Sequence, residues 1–186
     1  MVIGASAGGM DALAEILAPL PADFPLPVII VQHLHPHSNE GFLVKFLGRK
    51  CLLQVKEADE KEFLRAGWVY LAPANYHLLV EKDRSFSLSI EGRVNYCRPA
   101  VDVLFETAAE VFRNKLIGIV LTGGNSDGAA GLRMIKQLGG VTIVQDPETA
   151  EVNAMPLAAL EAARPEHVLR LEGIPDLLLR LAGVKS

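Results

Sequence analysis

Apolar positions recur along this chain in two rhythms that alternate. One is the uninterrupted run of strand length: VIGAS (2–6), PVIIVQH (27–33), LIGIVLT (116–122), VTIVQ (141–145) and the shorter VLRLE (168–172). Runs without polar alternation predict strands buried on both faces, as in a parallel sheet covered by helices. The other rhythm is helical. Met10, Leu13, Ile16 and Leu17 share one face of a helix predicted over 8–17, and Val101, Leu104, Phe105, Ala108 and Val111 form a stripe within 101–112. Helices are also predicted over 39–48, 127–138, 155–163 and 174–182. The punctuation agrees: Pro19 and Pro21 close the first helix, Ser38 or Asn39 offers an N-cap to the second, and Pro156 falls in a first helical turn, where its missing N–H is tolerated.

The middle of the chain breaks this alternation. LLQVKEA (52–58), GWVYLAP (67–73), YHLLVEK (76–82) and SFSLSIE (85–91) are short and rich in β-formers, and Asp83-Arg84 between the last two reads as a hairpin turn. An antiparallel flap is therefore expected to interrupt an α/β pattern. The predicted fold is α/β: a doubly wound, mostly parallel sheet with helices on both faces and an antiparallel β-hairpin insertion.

Length narrows the picture to one domain, residues 1–186, since the chain shows no linker, repeat or low-complexity tract. Half of the residues are hydrophobic and 22% are charged, the proportions of a globular domain. The net charge of −4, with no basic stripe, argues against nucleic acid as a partner. No apolar run approaches the ~20 residues that cross a membrane, so membrane insertion is not expected. The start, MVIGASAGGMDAL, lacks the basic and apolar regions of a signal peptide, and a cytoplasmic location is expected. Cys51 and Cys97 stand in no CxxC or CxxH spacing and are expected to be reduced and partly buried.

In an open parallel sheet, ligands bind beyond the carboxyl ends of the strands. Three residues of different chemical type stand just past three apolar strands: Ser6, His33 and Asp127. Nucleophile, base and orienting carboxylate are the parts of a serine hydrolase. Ser6 lies in GASAGG, a strand–turn–helix that exposes a serine, with Gly4, Gly8 and Gly9 freeing the turn. The same glycine turn also reads as a phosphate-binding loop, although its G-x-x-x-G-G spacing departs from the dinucleotide fingerprint. A lone histidine after a buried strand is most often a capping or surface residue, and Asp127 also reads as the N-cap of the following helix. A carboxylate held by backbone N–H groups stays ionised, so a cap role does not exclude a triad role. His33, His35 and His37 in HLHPH suggest a zinc site. No partnered Glu or Cys pattern supports it, so no metal and no cofactor are expected.

The segments that carry these residues, VIGASAGGMDAL (2–13), IIVQHLHP (29–36), VYLAPANYHLLVE (69–81), RPAVDVLFETAAEVF (98–112), IVLTGGNSDGAAGL (119–132) and QDPETAEVNAMP (145–156), resemble the catalytic domain of the CheB-type chemotaxis protein-glutamate methylesterases, in the family's order and across nearly the whole chain. The resemblance implies a serine esterase that demethylates glutamate γ-methyl esters, and deamidates glutamines, on the cytoplasmic helices of methyl-accepting chemoreceptors. It places the catalytic triad on Ser6, His33 and Asp127. It also implies backbone donors to the oxyanion at Gly124, which stands where the family often has methionine, and at Ala7, where threonine is frequent. No regulatory receiver domain is expected within these residues, and a chemosensory kinase or receiver protein is an expected partner. Arg98, Asp102, His77 and Met155 lie in family-like segments: Arg98 suits substrate positioning, Asp102 is as readily structural, His77 is expected on a solvent-facing hairpin strand, and Met155 in the core.

Three other readings compete with the esterase: an acyl hydrolase with another substrate, a docking module without turnover, and a nucleotide-binding domain. The intact serine, histidine and aspartate argue against the docking module. Nucleotide binding lacks the acidic residue that would meet a ribose at the end of the second strand, where His33 stands.

Overall fold

The computed structural model describes residues 1–33 and 41–184. The expected helix N-cap at Ser38 or Asn39, and His35 and His37, lie outside them. Seven strands form one sheet: β1 (Val2–Ala5), β2 (Val28–Gln32), β3 (Gln54–Glu57), β4 (Trp68–Leu71), β7 (Ile117–Val120), β8 (Val141–Gln145) and β9 (His167–Leu169). Their order is β3-β4-β2-β1-β7-β8-β9, and all six neighbouring pairs are parallel. β5 (His77–Val80) and β6 (Phe86–Ser89) form a separate antiparallel pair.

This corrects the reading of the middle of the chain in one respect. Among the described strands the antiparallel pair is the hairpin β5–β6; β3 and β4 extend the parallel sheet at its edge. β3 misleads because it is the edge strand and only half-covered: its outer residues Gln54 and Glu57 are exposed and Val55 and Lys56 half-buried, unlike the fully buried β1 and β2.

Helices cover both faces, and the period of two along each strand sorts the core into two halves. Ile3, Ile30, Ile119 and Ile143 pack with α1 (Gly9–Leu17), α2 (Phe42–Gly48) and α6 (Ile174–Leu181). Val2, Ile29, Val31, Val120 and Val144 pack with α3 (Val101–Phe112), α4 (Ala129–Gln137), α5 (Ala154–Ala163) and the hairpin residues Leu78, Val80 and Phe86. Thus the hairpin closes the second face rather than standing apart from the core.

The chain runs outward from β1 to β2 on one side, then returns through α3 to β7 on the other. That reversal falls between β1 and β7, the switch point beyond whose carboxyl ends an open α/β sheet binds its ligands. Gly4 sets how closely α3 approaches it: a Cβ there would lie 2.3 Å from Val101 Cγ1. With hydrogen at that position, the first turn of α3 rests on β1 itself. Among the described residues no helix is long and apolar enough to cross a membrane.

Candidate active site

Ser6 and His33 leave adjacent parallel strands one residue after the paired Ala5 and Gln32. His33 N–H continues the ladder to Ala5 O at 2.9 Å. The Ser6 backbone is pinned on both sides: its N–H donates to Thr122 O at 2.9 Å, and its carbonyl accepts from Gly9 N–H at 2.9 Å. Gln32 Nε2 donates to Ser6 O at 2.7 Å and to His33 O at 3.0 Å, so one buried amide ties the serine turn to the histidine strand. Gly8 makes the turn with a left-handed φ of 74° and caps α1.

Asp127 comes from the loop after β7, and its carboxylate is completely buried. Oδ2 accepts from His33 Nε2 at 2.9 Å and from Val101 N–H at 2.7 Å. Oδ1 accepts from Asp102 N–H at 3.0 Å and Asn95 Nδ2 at 3.1 Å. Four donors occupy the roughly four lone-pair sites of a carboxylate. Burial opposes ionisation, but the bonds from His33, Asp102 N–H, Val101 N–H and Asn95 outweigh it and hold the acid below the usual carboxylate range. The expected N-cap role is therefore displaced. Gly128 caps α4 without side-chain help, while Asp127 serves the first turn of α3, where the helix dipole favours a negative charge.

Asp102 returns the arrangement. Its Oδ1 accepts from Gly131 N–H in α4 at 2.7 Å, and its Oδ2 accepts from Asn95 Nδ2 at 2.8 Å. Burial pushes its carboxyl upward. Each acid thus satisfies buried first-turn N–H groups of the neighbouring helix, and the Asn95 amide lies between the two carboxylates. Asp102 is structural in this sense, yet it touches the same amide that steadies Asp127.

An ionised Asp127 against Nε2 fixes the histidine tautomer: Nε2 carries the proton, and Nδ1 presents its lone pair. Near Nδ1, at 3.8 Å, lies Cys97 Sγ, which also accepts from Asn125 Nδ2 at 3.3 Å. Burial, then the charge of Asp127, push the Cys97 thiol up. Both cysteines are free and half-buried, as their spacing implies.

The two expected oxyanion donors face solvent. Ala7 and Gly124 are exposed, and among the described residues neither N–H has a hydrogen-bond acceptor. The peptide before Gly124 is clamped: Gly123 N–H donates to Val152 O at 2.8 Å, and Gly123 O accepts from Met155 N–H at 2.9 Å. Thr122 Oγ1 donates to Ala7 O at 2.8 Å and accepts from Val152 N–H at 2.9 Å, joining the serine turn to this loop.

Of the other residues read from the sequence, Met155 packs in the core as expected. Arg98 donates through Nη1 to the carbonyls of Ile90 and Glu91, at 2.7 and 2.9 Å, and so ties down the chain after the hairpin. His77 corrects its expectation. It is buried, with Nδ1 accepting from Ala100 N–H at 3.2 Å and Nε2 bonded to Gly92 O at 3.0 Å. The hairpin's inner face packs on α3, and that burial overrides the polar look of the strand. Sequence reading missed Gln32, Asn95, Cys97 and Thr122 as neighbours of the site. Gln32 abuts His33 in sequence and ends an apolar strand, a signal that was available; Asn95 and Cys97 sit in a loop without pattern.

A model of the CheB methylesterase family matches residues 1–178. A Leptospira interrogans protein (strain 56601), provisionally named protein-glutamate methylesterase/protein-glutamine glutaminase, is 54% identical over 181 residues, covering 97% of this chain and 93% of its own. A Thermotoga maritima protein bearing that name is 36% identical over 184 residues, covering 97% of this chain and 53% of its own. The chain therefore spans nearly all of the first relative and about half of the second. The crystal structure of the Thermotoga maritima CheB methylesterase catalytic domain superposes with a TM-score of 0.92 at 37% identity, covering 97% of this chain and 96% of that one. By sequence and by fold, the chain belongs to the CheB methylesterase family.

Proposed function

We propose that this chain hydrolyses the γ-methyl esters of glutamates, and the amides of glutamines, on cytoplasmic helices of bacterial chemoreceptors, with Ser6, His33 and Asp127 as its catalytic triad. The observation that carries the reading is the 2.9 Å bond between His33 Nε2 and the buried Asp127, beside the serine turn of a family member. Residues 1–186 act in this reading as one catalytic domain in the cytoplasm, with a kinase or receiver protein as regulatory partner.

Because Asp127 occupies Nε2, the base is Nδ1. It takes the Ser6 hydroxyl proton as Oγ attacks the ester carbonyl. The N–H groups of Ala7 and Gly124 receive the oxyanion, and one such donor typically contributes ~3–4 kcal/mol to the transition state. His33, now cationic and stabilised by Asp127, protonates the departing methanol. Water then attacks the acyl-Ser6 carbonyl with its proton passing to Nδ1, the bond to Ser6 Oγ breaks, Oγ takes the proton back from His33, and the glutamate carboxyl is released and ionises. For glutamine, ammonia departs in the first step instead of methanol.

The test is methanol release from a methylated chemoreceptor fragment, with wild type and Ser6→Ala in parallel. Release by the wild type alone is expected. Equal release by both proteins would refute Ser6 as nucleophile, and no release by folded wild type would refute the substrate.

A further inference from the structure

We infer that Cys97 Sγ and His33 Nδ1 form a binding site for a thiophilic divalent cation, of the Zn²⁺ type, which blocks the proposed esterase by occupying the lone pair of its base. The inhibitory half rests on the function proposed above; the binding half rests on geometry alone.

The two ligand atoms stand 3.8 Å apart. A tetrahedral zinc with bonds of ~2.3 Å to sulfur and ~2.0 Å to nitrogen spans a ligand pair by about 3.5 Å, so a shift of a few tenths of an ångström closes the site. Asp127 lies within 4.8 Å of both partners, but its oxygens already accept four donors. It therefore acts from behind, through Nε2. A carboxylate bonded to the far nitrogen orients a metal-binding imidazole and raises its basicity. The Asn125 amide directed at Sγ at 3.3 Å gives the sulfur the donor that a metal-bound thiolate accepts.

The loop presents Cys97 in place. Val94 and Cys97 exchange backbone hydrogen bonds of 3.1 and 2.8 Å around Asn95 and Tyr96, which both take positive φ. Asn95 is in turn held by Asp102 and Asp127. Both ligand residues are partly exposed, so a cation reaches them from solvent and keeps water in its two remaining positions. Such a two-ligand site is exchangeable, as a brake requires. On binding, the Cys97 thiol gives its proton to solvent, the sulfur and Nδ1 each direct an electron pair to the metal, and nothing is oxidised or reduced.

Co²⁺ titration of the full chain tests binding without reference to activity, because a thiolate bound to cobalt shows a charge-transfer absorption. Wild type, Cys51→Ser and Ser6→Ala are expected to show the band at one equivalent and to lose it when Zn²⁺ is added. Cys97→Ser and His33→Gln, shown folded by circular dichroism, are expected to lack it. No band in wild type, or a band that survives Cys97→Ser, would overturn the site. In the methanol assay, Zn²⁺ is expected to cut the wild-type rate at least tenfold, reversibly with chelator. Cys97→Ser should keep most of its own metal-free rate; inhibition equal to wild type would overturn the brake. A cobalt band in a protein that releases no methanol without metal would leave the site standing and sink the esterase.

Discussion

The Asp127 carboxylate accepts hydrogen bonds at both oxygens and, ionised, has none to donate. A carboxamide in its place meets a donor wherever its NH₂ points. Turned toward His33, it makes Nε2 an acceptor and moves the ring proton to Nδ1, where the base is needed. Asp127→Asn is therefore expected to lower kcat by about 10⁴-fold, as the matching exchange does in a serine-protease triad. A loss below tenfold, measured as methanol release, would show that Nε2 does not set the tautomer. Asn95 is a positioning residue. Its amide separates two buried carboxylates and is one of the bonds that keep Asp127 ionised. Without it, Asp127 faces Asp102 across the gap, with Glu106 and the Cys97 thiol also within its field. Asn95→Ala is expected to reduce kcat/KM about tenfold, equivalent to ~1.4 kcal/mol, and to move the acid limb of the pH–rate profile upward. An unmoved limb would make Asn95 merely structural. At this scale the three residues proposed as the triad were legible as candidates, since each follows an apolar strand. Asn95 and Cys97 were not, because a loop's direction follows from neighbours that are remote in sequence.

At the scale of elements, α3 and α4 are joined by exchanged caps: Asp127 precedes α4 and satisfies α3, while Asp102 begins α3 and satisfies Gly131 in α4. The exchange requires close helices. A Cβ at Gly131 would lie 2.5 Å from Phe105 Cβ and 3.2 Å from Asp102 Oδ1. Gly131→Ala is expected to cost about 1–3 kcal/mol by overpacking, read as a lower urea midpoint at unchanged slope. It should also slow methanol release, because the strain falls on the turn that holds Asp127. Full activity with lowered stability would uncouple the helix contact from the site. The helical stripe at 101–112 coincides with α3, and most other elements appear within a few residues of their predicted bounds. The hydrophobic period fixes which face is buried, and local turn chemistry fixes where an element stops. What periodicity does not carry is the partner across the interface, so an acid that looks like its own helix's cap served another helix.

The whole molecule binds these acids to folding. Asp127 is more acidic in the fold than the ~3.9 of an unfolded aspartate. Its stabilisation is thus fully present above about pH 4 and lost as pH falls through the depressed native value. Asp102 and Glu106, both raised chiefly by burial, act in the opposite sense: they take up protons first in the folded state, and so soften the decline. The stability advantage that wild type owes to the ionised Asp127, measured against Asp127→Asn by urea unfolding, is expected to shrink as pH falls below about pH 4. A constant difference down to pH 3 would contradict the depressed acidity. The sequence by itself determined the α/β class, the parallel core, the hairpin and the three residues at the sheet edge, because burial on two faces and strand-end placement are written in consecutive residues. Only the tertiary structure decided that β3 and β4 join the parallel sheet, that His77 is buried, that Asp127 takes Nε2 of His33, and that Cys97 stands beside Nδ1. Those outcomes depend on which distant elements meet, and register and packing fix that only once the crossover through α3 has closed the second face.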